Sequence, residues 1–293
     1  MFIIKNKKIF VIISVFLVSL SVIFIIFFGL NFGIDFKGGS LLEVEYTNSR
    51  PEQKIIEDTI KPLSIGEILV QPMGENGYSI KTRDITEQER GLVMQSLGSD
   101  AVEKSFTSIG PSVGAELVRK SIISFILVAL GIIFWIAFSF RKVSKPVSSW
   151  KYGFIAIIAL IHDITISTGV FAFLGYLTGA EVDTLFVVAI LTILGLSVSD
   201  TIVVFDRIRE NIRVGHFKTF EETVGKSIGQ VYIRSIATSS TVIIVLLALV
   251  FFGPTSTRIF AIMLTAGMFF GTYSSIFLAS PLLVFVESWQ KKK

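Results

Sequence analysis

Apolar residues fall along this chain in long unbroken runs, with polar positions gathered between them. A membrane-spanning helix needs about 20 mostly apolar residues. Six runs approach or exceed that length: Ile9 to Leu30, Ile122 to Phe140, Tyr152 to Leu177, Val182 to Val204, roughly Ser235 to Phe252, and Ile259 to Val286. The first run follows Lys5, Lys7 and Lys8, as the apolar region of a secretory leader would. It is longer than such a region and no A-x-A cleavage site follows, so it reads as a retained anchor.

The stretch 31–117 has a different pattern. Leu42, Val44 and Tyr46 alternate with Glu43 and Glu45, which predicts a strand. Ser49 is placed to cap a helix with Pro51 near its start, and Ile55, Ile56 and Ile60 supply an apolar face. Glu67 to Pro72 and Tyr78 to Arg83 read as two strands around a turn at Gly74 to Gly77. Thr86 and Glu89 form a capping box, ahead of Leu92, Val93 and Leu97 facing inward. Ala101 to Ile109 reads as a last strand. The order is β-α-β-β-α-β, the ferredoxin-like arrangement. The expected fold class is therefore an integral membrane α-helical protein, with six transmembrane helices and one α+β ferredoxin-like external domain. Its expected parts are an N-terminus and first helix at 1–30, the external domain at 31–117, and a five-helix membrane domain at 118–293.

Composition agrees with a lipid environment. Hydrophobic residues make up 52% of the 293 and charged residues only 17%, against roughly 25% charged in soluble proteins. The 27 Phe outweigh 3 Trp and 6 Tyr, so the aromatic weight is apolar. The absence of Cys excludes disulfides, iron–sulfur clusters and Cys-zinc sites. With His162 and His216 the only histidines, a His-rich metal site is excluded too. No P-loop and no dinucleotide fingerprint is present. Neither a cofactor nor a metal is expected, no nucleic-acid partner is implied, and the work must be driven by the membrane gradient or by a partner.

Orientation follows from Lys and Arg in the short connections. The N-terminus carries three Lys, and the second connection carries Arg141, Lys142, Lys145 and Lys151. The fourth connection carries Arg207, Arg209, Arg213, Lys218 and Lys226, and the tail ends in Lys291, Lys292 and Lys293. The third turn has Glu181 and Asp183 and no base, and the fifth has only Arg258. Alternate connections agree, so both termini are expected in the cytoplasm and the 31–117 domain outside. Residues 31 to 121 hold 14 acids and 10 bases, as a water-exposed domain requires.

Two buried acids are the candidate chemistry. A charge inside a span costs roughly 2.5–3.5 kcal/mol on insertion scales, so it is usually paired or functional. Asp200 lies six residues before Asp206, about 9 Å inside the cytoplasmic edge at 1.5 Å per residue. Arg234 lies near the start of the next, antiparallel span at similar depth, so an ion pair with Asp200 is geometrically allowed. The competing reading is a static structural pair. Asp163, beside His162 in the third span, is a second candidate for a proton relay. Adjacent helical residues point about 100° apart, so they need not act together, and helix packing or contact with a partner helix is the competing reading. Asp206, Arg207, Arg209 and Glu210 read as a solvated anchor with local salt bridges. Glycines Gly38 and Gly39 after the first span, and Gly110 and Gly114 before the second, would meet near the outer surface as a hinge or domain seat. Small residues such as Ser197, Ser239, Gly267, Gly271 and Ser274 support close helix packing.

The segment Gly195 to Asn211, with Asp200, Asp206, Arg207 and Arg209 inside it, resembles the SecF family, the smaller membrane subunit of the SecD–SecF accessory complex of bacterial secretion. Gly33 to Gly39, Gly110 to Leu117, His162-Asp163, Phe252-Gly253 and Gly271-Thr272 match in kind and order, so the resemblance covers nearly the whole chain. That family belongs to the resistance–nodulation–division class of proton-driven transporters, whose full unit has twelve spans. The resemblance implies a SecD partner, the SecYEG channel, the SecA ATPase, YajC and YidC, a translocating unfolded polypeptide and membrane lipid. It implies a multi-pass protein of the bacterial plasma membrane that assists late protein translocation with the proton motive force and is not itself an enzyme. It assigns proton movement to the positions of Asp200 and Arg234, with Asp163 a further candidate. Two other classes stay open: a half-transporter exporting lipid or small hydrophobic molecules, and a purely structural translocon subunit.

Overall fold

The computed structural model describes residues 2–139, 147–215 and 217–290. The basic residues Arg141, Lys142, Lys145, Lys291, Lys292 and Lys293, and His216, lie outside the described residues. The chain divides into two compact units.

One unit takes in Phe32–Ile122 together with the short segment Glu181–Thr184. Its sheet contains β1 (Gly39–Tyr46), β2 (Leu69–Met73), β3 (Gly77–Thr82) and β4 (Ala101–Ile109). They lie in the order β2-β3-β1-β4, with every neighbouring pair antiparallel. With helices at Gln53–Ile60 and Glu87–Leu97 between the strands, this is the ferredoxin-like arrangement. The two-residue alternation of β1 sends Leu42, Val44 and Tyr46 into the core, where they meet Ile56, Ile60, Val70, Ile80 and Val93. Leu42 pairs with Ile80 on one side and Phe106 on the other. Tyr78 is buried beside them and its hydroxyl donates to the Pro51 carbonyl at 2.6 Å.

Two local expectations change. Ser49 does not cap the first helix, which starts at Gln53 after Glu52 without a side-chain cap. Glu52 is the extended residue before the first turn, and Pro51 disfavours helical geometry at Arg50 before it, so the helix starts too far along for Ser49 to cap. Ile55 and Leu92 are exposed, at 55% and 52%, while Ile56, Ile60, Val93 and Leu97 are buried. Each of these short helices therefore sets two residues, four apart, on the sheet.

The capping box forms as the sequence predicts. The Glu89 amide donates to the Thr86 hydroxyl at 3.3 Å, and the Thr86 amide donates to the Glu89 carboxylate at 2.8 Å. Arg83 also donates to that carboxylate. The Arg83 hydrogen bond, then the Thr86 amide, lower the Glu89 pKa from 4.5 to about 2.

The other unit takes in Met1–Asn31, Ile123–Ala180 and Leu185–Lys293. Six helices are long and apolar enough to cross a membrane: span 1 (Lys7–Phe28), span 2 (Pro111–Ser139), span 3 (Ser149–Thr178), span 4 (Thr184–Val214), span 5 (Phe220–Phe252) and span 6 (Ser256–Gln290). Spans 3, 4 and 6 are buried over 56%, 44% and 61% of their most apolar windows, against 11%, 6% and 11% for spans 1, 2 and 5. The first three therefore form the interior, and the others present apolar surface outward. Phe205 and Ile208 of span 4 pack with Tyr152 and Ile155 of span 3, Val224 and Ile228 of span 5 and Leu283 of span 6. Span 6 is not uniform. It has a π-helical stretch at Ser275–Ala279, where the Ser280 hydroxyl donates to the Ser275 carbonyl at 3.0 Å. Such π segments in α-helices occur frequently at functional sites.

The lowered Glu89 pKa has a sign. Its contribution to stability is fully present above the unfolded value near 4.5 and is lost as pH falls through about 2. A side-chain NMR titration should place the Glu89 midpoint near 2, and Arg83→Ala should move it upward. A native midpoint at the ordinary value would contradict the pairing.

Candidate functional site

Each buried acid is held by hydroxyls from other spans. Asp163 of span 3 is fully buried. Its Oδ1 lies 2.8 Å from His162 Nδ1, and its Oδ2 accepts from Ser197 of span 4 at 2.5 Å and Ser274 of span 6 at 2.8 Å. His162 and Asp163 thus act on one another although they are helix neighbours. The His162 ring stacks on Tyr273, at 6.1 Å between centroids, and the Tyr273 hydroxyl donates to the Phe10 carbonyl of span 1. Among the described residues His162 Nε2 is buried without a hydrogen-bond partner.

Asp200 of span 4 is 8% exposed. Its Oδ2 accepts from Ser239 of span 5 at 3.2 Å and from Thr272 of span 6 at 3.0 Å, and the two hydroxyls lie 2.5 Å apart. A cleft of about 220 Å³ is lined by Ser239, Ser240, Thr272 and Tyr273 among apolar residues of spans 5 and 6. It brings open space to the two hydroxyls that hold Asp200. The two acid sites share elements. Ser197 and Asp200 stand one turn apart on span 4, and Thr272 and Ser274 lie on span 6 just before its π stretch.

The expected ion pair between Asp200 and Arg234 is not formed. Arg234 is exposed and, among the described residues, makes no ion pair. The cause is helical phase. Ser239, which faces Asp200, is five residues from Arg234, a rotation of about 140° at 3.6 residues per turn. Arg234 instead lines a cleft of about 410 Å³ with Asp206, Arg207, Glu210 and Gln230. In that neighbourhood Arg207 pairs with Glu210 at 2.5 Å and donates to Gln230 at 2.7 Å, and Arg209 pairs with Asp206. The local salt bridges expected at this edge are present.

Close packing positions the acids. A Cβ at Gly267 would collide with the Ile193 side chain, and one at Gly271 would sit 3.0 Å from the Ser197 Cβ. The two glycines therefore let span 6 lie against span 4 where the hydroxyls must reach the acids.

In the other unit the two glycine segments meet. Gly38 has φ +79° and a Cβ there would lie 3.0 Å from Pro111 backbone atoms, and Gly39 has φ +133° with Thr82 O 2.7 Å from the same point. A Cβ at Gly114 would lie 2.9 Å from Phe36 O. Gly110 differs, since a Cβ there meets only Asp84 Oδ2 at an ordinary 3.7 Å. The two segments therefore meet closely at Gly38 and Gly114, while Gly39 is confined against Thr82.

The same segments carry the comparison with known proteins. Residues 91–289 match the model of the SecD/SecF C-terminal family of protein export membrane proteins, and residues 23–49 match the SecD/SecF GG motif. The protein translocase subunit SecF of Thermobaculum terrenum is 42% identical, over 99% of this chain and 94% of that one. That of Anaerolinea thermophila is 39% identical, over 98% and 94%. The chain belongs to the SecF family.

Among solved structures, a Thermus SecDF, described as a translocon-associated membrane protein, superposes on this SecF-family chain with a TM-score of 0.81 and 29% identity. The match covers 98% of this chain and 38% of that one. SecDF in a super-membrane-facing form gives 0.70 and 27%, covering 99% and 39%. This SecF-family chain is thus a multi-pass membrane protein of the protein-translocation machinery, and it spans well under half of the SecDF chains it resembles.

The sequence singled out Asp200, Asp163 with its neighbour His162, and Arg234, but not the hydroxyls from other spans that bond the two acids. Ser197, Ser239 and Ser274 stood out as small residues able to hydrogen-bond between helices, not as partners of a particular acid. Their spacing on the span faces opposite the acids was the available signal. Two unit-forming contacts gave no sequence signal at all: Asp35 with Thr184, and Lys81 with Glu181.

The packing of spans 4 and 6 is testable. Gly267→Val should lower stability by about 1–3 kcal/mol through overpacking, read as a lower thermal midpoint of the purified chain. Shortening the opposing side chain, as in Gly267→Val with Ile193→Ala, should recover part of the loss. An unshifted midpoint in the single variant would contradict the contact.

Proposed function

We propose that this chain, with a SecD partner, uses the proton motive force to assist late protein translocation through SecYEG after SecA has acted. The single observation that carries the reading is Asp200. It is a buried carboxylate held by two hydroxyls and no cation among the described residues, at the edge of a cleft between spans 5 and 6. Both hydroxyls donate to Oδ2, as charge-assisted hydrogen bonds while the carboxylate is ionised, and protonation removes that charge. Proton binding therefore weakens the hold of Ser239 and Thr272 on Asp200, and with it the contact of spans 5 and 6 on span 4. Asp163 is the second station, joined to the first through Ser197 and Ser274 on the same two spans.

Arg234 is the cation that a carboxylate of the SecD partner would meet, since it is exposed and unpaired among the described residues. The basic connections favour cytoplasmic termini, and with that orientation protons move inward as the external unit acts on the emerging polypeptide. One charge crossing the membrane potential releases about 2.3 kcal/mol per 100 mV, so a few protons drive a domain movement. Motion passes through the glycine seat at 33–39 and 110–114.

Translocation in vesicles holding SecD and either the native chain or Asp200→Asn tests this. Co-purification checks assembly, and secretion is compared with and without a proton gradient. The variant should assemble and lose the gradient-dependent part alone. Unchanged secretion would overturn the proton role of Asp200 and favour a structural subunit.

A further inference from the structure

The turn that precedes span 4 is gripped from three sides. Asp35, in the segment Gly33 to Gly39, accepts from the Thr184 amide at 2.8 Å and from the Thr184 hydroxyl at 2.6 Å. Lys81 of β3 pairs with Glu181 at 2.6 Å, with both side chains four-fifths buried, at 18% and 19% exposure. The Gly33 amide donates to the Val182 carbonyl at 2.9 Å, and Phe32 bridges Val182 as a short parallel pair. Space is tight as well. A Cβ at Gly33 would lie 3.1 Å from Glu181 Oε2 and 3.2 Å from Val182 O. All of these residues belong to one compact unit.

The chemistry of the grip is specific. Thr184 is the first residue of span 4, and the first amides of a helix lack partners within it. The Asp35 carboxylate supplies one from outside, where the helix dipole also favours a negative charge. A hydrogen bond to an ionised acceptor is roughly twice as strong as a neutral one. The Lys81–Glu181 pair is largely withdrawn from water, so solvent screens it less than an exposed pair. Asp200 stands sixteen residues along the same unbroken helix from Thr184, about 24 Å at 1.5 Å per residue. A helix transmits a displacement of its first turn along its axis far better than a loop would.

We infer that Asp35 and Lys81 are positioning residues, which hold the turn Glu181–Thr184 so that span 4 and its Asp200 move with the sheet that carries Lys81. The inference rests on the proton role proposed for Asp200 and adds the route by which that site is coupled to the sheet. Neither residue touches Asp200. Their part is to fix the start of its helix with side chains, beside the backbone contacts of Phe32 and Gly33 with Val182.

The test uses the full chain with SecD in vesicles, carrying Asp35→Ala, Lys81→Glu, Glu181→Lys, or the charge-swapped pair Lys81→Glu with Glu181→Lys. Two readouts are taken: amide hydrogen exchange over the first turn of span 4, and gradient-dependent secretion. Each single variant should speed first-turn exchange and cut gradient-dependent secretion by about tenfold, as loss of a charge-assisted contact implies. The swapped pair should bring both back to within about twofold of native, because the ion pair is reformed with reversed sign. Faster exchange with unchanged secretion would overturn the inference and leave the Asp200 reading intact. Failure of the swapped pair to restore either readout would also overturn it. Equal secretion by native and Asp200→Asn chains in the same vesicles would refute the parent reading, and the inference with it.

Discussion

A carboxylate taken out of water must recover its lost hydration from the protein, or it costs several kcal/mol. The helical unit meets this demand twice, and each time with hydroxyls rather than a basic side chain from another span. Asp163 has Ser197 and Ser274 on one oxygen and His162 on the other, and Asp200 has Ser239 and Thr272. Hydroxyls both donate and accept, so they satisfy a carboxyl group in either protonation state after reorienting. An arginine has only donors and favours the ionised form alone. Ser and Thr therefore do not tie either acid to its ionised form as an arginine would, which is what the proposed proton role requires.

That choice dictates the packing. A hydroxyl on a short side chain reaches an acid only if the helices nearly touch, so spans 4 and 6 meet through Gly267 and Gly271. The partners are spread over spans 4, 5 and 6, so each acid ties several helices together. The π stretch at Ser275–Ala279 begins directly after Ser274, and Ser275 gives its carbonyl to the Ser280 hydroxyl. The change of helical register sits where the hydroxyls of span 6 turn between the two acids.

The fold was largely legible because its signals are local. The β-α-β-β-α-β order, the Thr86–Glu89 capping box and the strand at Ala101–Ile109 follow from periodicity and turn chemistry within a few residues. Ser49 failed as a cap because the helix starts too far along, at Gln53, and Leu92 failed as core because a two-residue footprint suffices for so short a helix. At the site, Asp200 and Asp163 were legible because acids in apolar runs are rare. The pairing of Asp200 was not, since depth in the membrane left the helical phase of Arg234 against Ser239 undecided. Asp35–Thr184 and Lys81–Glu181 join residues 149 and 100 positions apart, and nothing local in the chain announces either.

In the proposed function, protonation of Asp200 is the event on which the coupling of gradient to movement depends. The most direct measurement is infrared difference spectroscopy of the chain with SecD in vesicles, recorded as a proton gradient is imposed. A protonated-carboxyl band that appears with the gradient, and is absent in Asp200→Asn, is the predicted result. A spectrum without such a band, or a band that survives in Asp200→Asn, would show that Asp200 does not take up the proton.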